Sequence, residues 1–148
     1  MTHGAGYSDW VSETSTLIGQ ASDIAFRVAR VSLADIDAAM LYEAFTINVP
    51  MGLEGAGFCR PGEAGRFVED GNIDLDDGVL PVNPDGGALS SNNPGRRGLF
   101  LLVEAARQLR GEAGACQVAA CAHVATIATG AVGAGRARAA AVSVFGRD

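Results

Sequence analysis

Cysteine and histidine are scarce in this sequence: three cysteines (Cys59, Cys116, Cys121) and two histidines (His3, His123). An odd cysteine count without regular spacing does not make a disulfide framework. No CxxC pair exists, so the donors argue against a zinc site, and no metal is expected. Long apolar runs are also missing. No stretch reaches the roughly 18 residues that a membrane-spanning helix needs, so no membrane partner is expected. The N-terminus lacks a basic-then-apolar signal pattern. Positive charge is outnumbered: 11 Lys plus Arg face 17 Asp plus Glu, for a net charge of −6. Such a chain suits phosphate backbones poorly, which argues against nucleic acid as a partner. The default location is cytoplasmic, with thiols reduced.

What is present reads as one globular unit. The chain has 148 residues, 48% apolar and 19% charged, enough for one domain with a real core. Residues 1–16 are small and polar and are expected to be a flexible N-terminal segment, with residues 17–148 forming the domain. Leu17, Ile18, Ala21, Ile24, Ala25 and Val28 predict one helical face. Ser32 and Asp35 resemble a capping box. Ala38–Tyr42 suits a strand buried on both faces. A second, shorter helix is expected over 46–54, with Pro50 arguing against an unbroken one. Residues 59–79 read as a long polar loop, functional or mobile.

Val79–Val82 predicts a strand and Asn83–Gly87 a turn. A strong helix follows, with Leu99, Leu102, Val103, Ala106 and Leu109 on one face and Glu104, Arg107, Gln108 and Arg110 opposite. Gly111 sits where a C-terminal cap belongs. Val118–Ile127 and Ala139–Phe145 predict a closing hairpin with Gly130, Gly133 and Gly135 between them. The order is an α/β pattern.

Four segments then carry a family resemblance. Ala34-Asp-Ile-Asp37 with Leu41-Tyr-Glu-Ala-Phe-Thr46 is the first. The others are Gly57–Val68, Leu80–Ser90 and the helix Leu101–Gly114. In this order and spacing they resemble the C-terminal region of thiolases. The sterol-carrier/lipid-transfer branch, whose members are often called acetyl-CoA acetyltransferases, is the nearest in pattern. The resemblance implies an α/β thiolase-like C-terminal half-fold, a mixed sheet with helices on both faces, here incomplete. It also implies acyl-CoA as substrate, no bound cofactor, and carbon–carbon bond chemistry beside a thioester. Such chemistry needs an ionised thiol, fixed donors for the thioester oxygen, and an acid/base near neutral pH.

The chain departs from that pattern at several positions. The family's nucleophilic cysteine belongs to an N-terminal half that this sequence does not contain. The histidine of the family's G-H-P loop falls at Asn93, whose amide can donate a hydrogen bond but cannot take a proton from a thiol. The H-G-x-G-G run of related members corresponds to Ala128–Gly133, without histidine. His123, Cys116 and Cys121 read more readily as packing residues than as acid/base groups. Tyr42 stands where relatives carry Asn, His or Tyr, and some relatives with Tyr resemble CoA-linked retro-aldolases. It reads equally as a proton-transfer residue and as packing. Gly86, Gly87, Arg96 and Arg97 are candidates for contact with CoA or for shaping the loop.

Three readings follow. The chain is one piece of an acyltransferase-type enzyme, completed by a partner carrying the nucleophile half. Alternatively it is a non-catalytic accessory or CoA-thioester-binding subunit, or a truncated inactive product. Expected partners are a thiolase N-terminal half, a full thiolase subunit, or further copies of itself.

Overall fold

The computed structural model describes residues 7–91, 95–133 and 136–147, with side chains for 17–91, 95–129 and 139–147. Its elements run α1 (Tyr7–Ala29), β1 (Ala38–Leu41), α2 (Asn48–Ala56), α3 (Ala64–Glu69), α4 (Arg97–Arg110), β2 (His123–Gly133) and β3 (Arg136–Gly146).

The sheet order is β1-β2-β3. β1 lies parallel to β2, with Ala38 opposite Val124 and Leu41 opposite Ile127. β2 and β3 are antiparallel, from His123 opposite Gly146 to Gly133 opposite Arg136. The sheet is therefore mixed, as expected. β1 is buried along its whole length, because α1 and α2 cover one face and α4 the other. Ile18, Ala39, Leu41, Leu53 and Ile127 form the core on the first face. Ala38, Met40, Leu101, Val118 and Val124 form it on the second.

Several sequence expectations need correction. Helix α1 begins at Tyr7, so residues 7–16 are not loop. No Gly or Pro interrupts residues 7–18. Extending an existing helix adds one hydrogen bond per residue fixed, which outweighs the modest propensity cost of Ser and Thr. The core face of α1 is also rotated from the expected one. Ile18 and Ser22 are buried, while Ile24 and Val28 are 55% and 77% exposed. Gly19 lies on the side that meets α2, where a Cβ would stand 3.2 Å from the Gly55 carbonyl oxygen.

Pro50 does not break α2. It is the third residue of the helix, where the N–H it lacks has no intrahelical acceptor to meet. The 59–79 stretch is not structureless. It contains α3 and is tied down by the Asn72 side chain to the Phe67 carbonyl at 3.0 Å and by Leu80 N–H to the Asn72 carbonyl at 2.9 Å. Residues 79–82 make only one bridge, Val82 beside Ala39. Pro81 cannot donate to a ladder, and its carbonyl instead accepts from Ala39 N–H at 2.9 Å.

The closing strands are displaced from their expected bounds. β2 starts at His123, and Gly130 and Gly133 lie within it instead of in the turn. The expected Gly135 lies outside the described residues.

The largest correction concerns α4. Its buried residues are Arg97, Leu101, Glu104, Ala105 and Gln108. Leu99 and Val103, expected on the core face, are 58% and 57% exposed. Gln108 explains the inversion. Its Nε2 donates to Glu104 Oε1 at 2.9 Å and to the Cys116 carbonyl at 2.7 Å. Its Oε1 accepts from Val118 N–H at 2.8 Å and from Gln117 Nε2 at 3.1 Å. A buried polar side chain with all its partners in place is tolerated in a core. The apolar side of α4 then points away from the sheet.

The capping box and the glycine cap stand as expected. Asp35 Oδ2 accepts from both Ser32 N–H and Ser32 Oγ at 2.7 Å. Gly111 closes α4 with φ 72°.

Candidate active-site cleft

The segment that follows β1 organises the site. Tyr42 lies one residue past the strand, at its C-terminal end, and its N–H donates to the Ile127 carbonyl at 2.8 Å. Open α/β sheets bind ligands at the carboxyl ends of their parallel strands. Asn83 extends the pairing where the 79–82 segment stops. Its Oδ1 accepts from Leu41 N–H at 2.7 Å and its Nδ2 donates to the Leu41 carbonyl at 3.0 Å. The amide thus stands in for a backbone group, and Asn83 adopts φ 48° to present it.

Glu43 is 2% exposed. Its Oε1 accepts from Ala88 N–H, which grips the turn formed by residues 83–88. Gly87 must be glycine twice over. Its φ is 64°, and a Cβ there would run into Glu43 Oε1. Asp85 Oδ1 accepts from Gly87 N–H at 3.0 Å, while Asp85 Oδ2 pairs with Arg97 Nη2 at 3.2 Å. The same turn is therefore held by β1 through Glu43 and by the start of α4 through Arg97. Ser91 Oγ adds a bond to the Gly87 carbonyl at 2.7 Å.

Between Tyr42 and the start of α4 lies a cleft of about 210 Å³. Tyr42, Arg96, Arg97, Gly98 and Thr129 contribute to its walls. Arg97 is 5% exposed, not a solvated residue at the helix start. Its guanidinium carbon sits 5.5 Å from the Phe100 ring centroid.

Of the residues singled out from sequence, Tyr42, Arg96 and Arg97 meet at this cleft. Gly86 and Gly87 shape the supporting turn, with φ 82° and 64°. Asn93 lies outside the described residues. Glu43, Asn83 and Asp85 were missed as site-building residues. An acid directly after a buried apolar strand was the available signal for Glu43.

The thiols stand apart. Burial, aided by Glu54 and Glu63, pushes the Cys59 thiol up to about 11. Burial, aided by Asp37 and opposed by Arg147, does the same for Cys121, to about 11. Both are protonated near neutral pH, and a protonated thiol is a poor nucleophile. Neither lines the cleft. His123 opens β2, and its Cδ2 lies 3.0 Å from where a Cβ on Gly146 would stand. Among the described residues, the cleft holds a phenol and guanidinium groups but no thiol or imidazole.

This architecture is that of an α/β thiolase-like half-fold, with a mixed sheet and helices on both faces. Residues 2–147 match the model of the family described as thiolase C-terminal domain-like, and the chain belongs to that family. It is 42% identical over 95 residues to an acetyl-CoA acetyltransferase of Methanothermobacter thermautotrophicus, covering 64% of this chain and 24% of that protein. It is 40% identical over 86 residues to sterol carrier protein 2 of Bos taurus, covering 57% of this chain and 16% of that protein. A solved structure of an Ltp2-ChsH2(DUF35) aldolase matches with a TM-score of 0.70 at 30% identity, covering 87% of this chain and 31% of that one. The chain thus matches about a quarter or less of the length of these curated relatives. Among the described residues, no helix is long and apolar enough to cross a membrane.

Proposed function

We propose that this chain is the C-terminal part of an acyl-CoA-processing enzyme of thiolase type, which makes or breaks the carbon–carbon bond beside the thioester. Tyr42 is the proton-transfer residue, and the nucleophile comes from a thiolase-like partner half. The observation that carries this is the position of Tyr42, at the C-terminal end of β1 and lining a cleft with Arg96 and Arg97. The aldolase among the structural neighbours supports carbon–carbon cleavage as the class. On sequence grounds, the Asn93 amide belongs to the same reading as a hydrogen-bond donor to the thioester oxygen.

The exposed Leu99, Phe100, Leu102 and Val103 of α4 are the surface on which the partner half sits. Adjoining apolar residues left open in this way mark an interaction site. The test is to purify the chain with a candidate thiolase N-terminal half and assay acyl-CoA cleavage. The pair is expected to be active, and Tyr42→Phe to lower kcat by at least a hundredfold with little change in KM. An unchanged rate in Tyr42→Phe removes Tyr42 from the mechanism.

A second reading is a non-catalytic, CoA-thioester-binding subunit of a complete thiolase. Asn93, read from sequence at the family's histidine position, supports it, because an amide cannot take a proton from a thiol. It predicts acyl-CoA binding with no turnover in any pairing that lacks a complete enzyme.

A further inference from the structure

We infer that Asn83 is the residue that positions Tyr42, because its side-chain amide completes the ladder at the end of β1 after the neighbouring chain has turned away. The effect on rate rests on the proton-transfer role given to Tyr42 above. The effect on where Tyr42 sits does not.

The ladder shows what the amide replaces. Residues 79–83 run parallel to β1 for a single bridge, Val82 beside Ala39. There Ala39 N–H donates to the Pro81 carbonyl at 2.9 Å, and Asn83 N–H donates to the Ala39 carbonyl at 3.0 Å. One further step of a parallel ladder would bond Leu41 N–H to the carbonyl of residue 83, and the N–H of residue 85 to the Leu41 carbonyl. The chain leaves the ladder first. Asn83 takes φ 48°, and its carbonyl accepts from Gly86 N–H at 2.8 Å in the turn. One side chain then fills both ladder positions. Oδ1 accepts from Leu41 N–H at 2.7 Å, and Nδ2 donates to the Leu41 carbonyl at 3.0 Å. A short side chain with both an acceptor and a donor is needed for this, and Asn is among the few residues that tolerate the left-handed backbone as well.

The placement bears directly on Tyr42. Leu41 is 1% exposed, and buried backbone groups without partners are costly. Tyr42, the next residue, donates its N–H to the Ile127 carbonyl of β2 at 2.8 Å. Glu43, one further on, accepts from Ala88 N–H. Three successive residues are thus tied to three different segments. The peptide between Leu41 and Tyr42 is held from Asn83 on one side and from β2 on the other, and this sets the direction in which the Tyr42 side chain leaves the strand. A reacting group displaced by about 1 Å can lose about a hundredfold in rate.

The test uses the chain with its thiolase-like partner half. Asn83→Gly keeps a residue suited to positive φ and both backbone bonds at position 83, but deletes the side-chain pair. It is expected to lower kcat about ten- to a hundredfold, with KM within about twofold of wild type. Asn72→Ala deletes a side-chain bond to the Phe67 carbonyl in the preceding segment and controls for stability alone. It should lower the urea midpoint and leave kcat unchanged.

Asn83→Asp supplies a readout that a purely structural role would not move. Ionised, the introduced carboxyl accepts from Leu41 N–H but repels the Leu41 carbonyl. Protonated, it carries an acceptor and a donor, as the amide does. Its kcat relative to wild type should therefore rise as pH falls. Glu43 Oε1 and Asn83 Nδ2 both crowd the point where a Cβ on Gly87 would stand, so the Glu43 carboxylate raises the pH at which recovery begins. Weakened folding in acid would move the ratio the other way.

The chain has two tyrosines, Tyr7 and Tyr42, so the Tyr42 ring can be followed without turnover by fluorine NMR of chain labelled with 3-fluorotyrosine. Its signal, identified by its loss in Tyr42→Phe, should shift or broaden in Asn83→Gly. An unmoved signal overturns the inference, as does a fall in kcat that Asn72→Ala reproduces, or a flat pH ratio in Asn83→Asp. A moved signal together with full activity in Tyr42→Phe supports the positioning role and removes the proton-transfer reading. An unmoved signal with an inactive Tyr42→Phe does the reverse.

Discussion

On one face of the sheet, Ile18, Leu41, Leu53 and Ile127 pack beneath α1 and α2. On the other, α4 turns Glu104 and Gln108 inward beside Leu101 and Ala105, and leaves Leu99 and Val103 outside. The first face is held by non-directional burial. The second depends on a directional network in which Gln108 bonds to Glu104, Cys116, Gln117 and Val118. Apolar burial tolerates substitution of similar volume, whereas a polar network fails when one member is removed. The polar face is also the one nearest the cleft, because Tyr42 packs against its cluster. The chain therefore keeps its specific geometry on the side where the site lies and its bulk stability on the other.

The largest expected effect sharpens this contrast from the apolar side. Leu53→Ala removes a fully buried side chain and should cost about 2–5 kcal/mol, read as a lower midpoint in urea unfolding. Next is Gln108→Ala, which leaves Val118 N–H and Glu104 Oε1 without their partner, while Glu104 Oε2 keeps Arg107. It should cost about 2–3 kcal/mol. A cost below about 0.5 kcal/mol would show that the network contributes little and would break the comparison.

A smaller effect is expected at the short turn before β1. The Ser32 hydroxyl and N–H beside Asp35 hold its carboxyl below its ordinary value of 3.8. A depressed carboxylate contributes stability that is present above pH 3.8 and is lost as pH falls through the lower folded value. Asp35→Asn should remove that acid-side portion of the pH dependence. Because Asp35 is exposed, the change should be small and reduced by salt. The smallest effect belongs to the outer side of α4. Val103→Gln should change the stability of the isolated chain by no more than about 0.5 kcal/mol, yet abolish pull-down of a thiolase-like partner half. Retained pull-down would move the partner to another surface.

Much of this fold was legible in the sequence. The run Ala38–Leu41 is apolar throughout because it is buried on both faces, and no fold needs to be known to read that. Gly111 marked the end of α4, and Ser32 with Asp35 marked a local cap, because both act over four residues or fewer. The facing of α4 was not legible. Periodicity shows that a helix has two sides, and the usual inference puts the apolar side inward. Here the inward side is decided by whether Glu104 and Gln108 find partners, and those partners lie up to ten residues away across a turn. The facing of α1 was hidden for a related reason, since the approach of Gly19 to Gly55 belongs to two helices at once.

The site divides in the same way. The family resemblance singles out Tyr42, and Arg96 and Arg97 stand out as a charged pair beside a turn. Sequence by itself determined the family and the buried strand that Tyr42 follows. Only the tertiary structure decided that Arg97 is buried against Asp85, that Glu43 grips the Ala88 amide, and that Gly87 has no room for a side chain. Those contacts join residues 12 and 45 positions apart. Their energies depend on burial and distance, which composition and spacing do not contain.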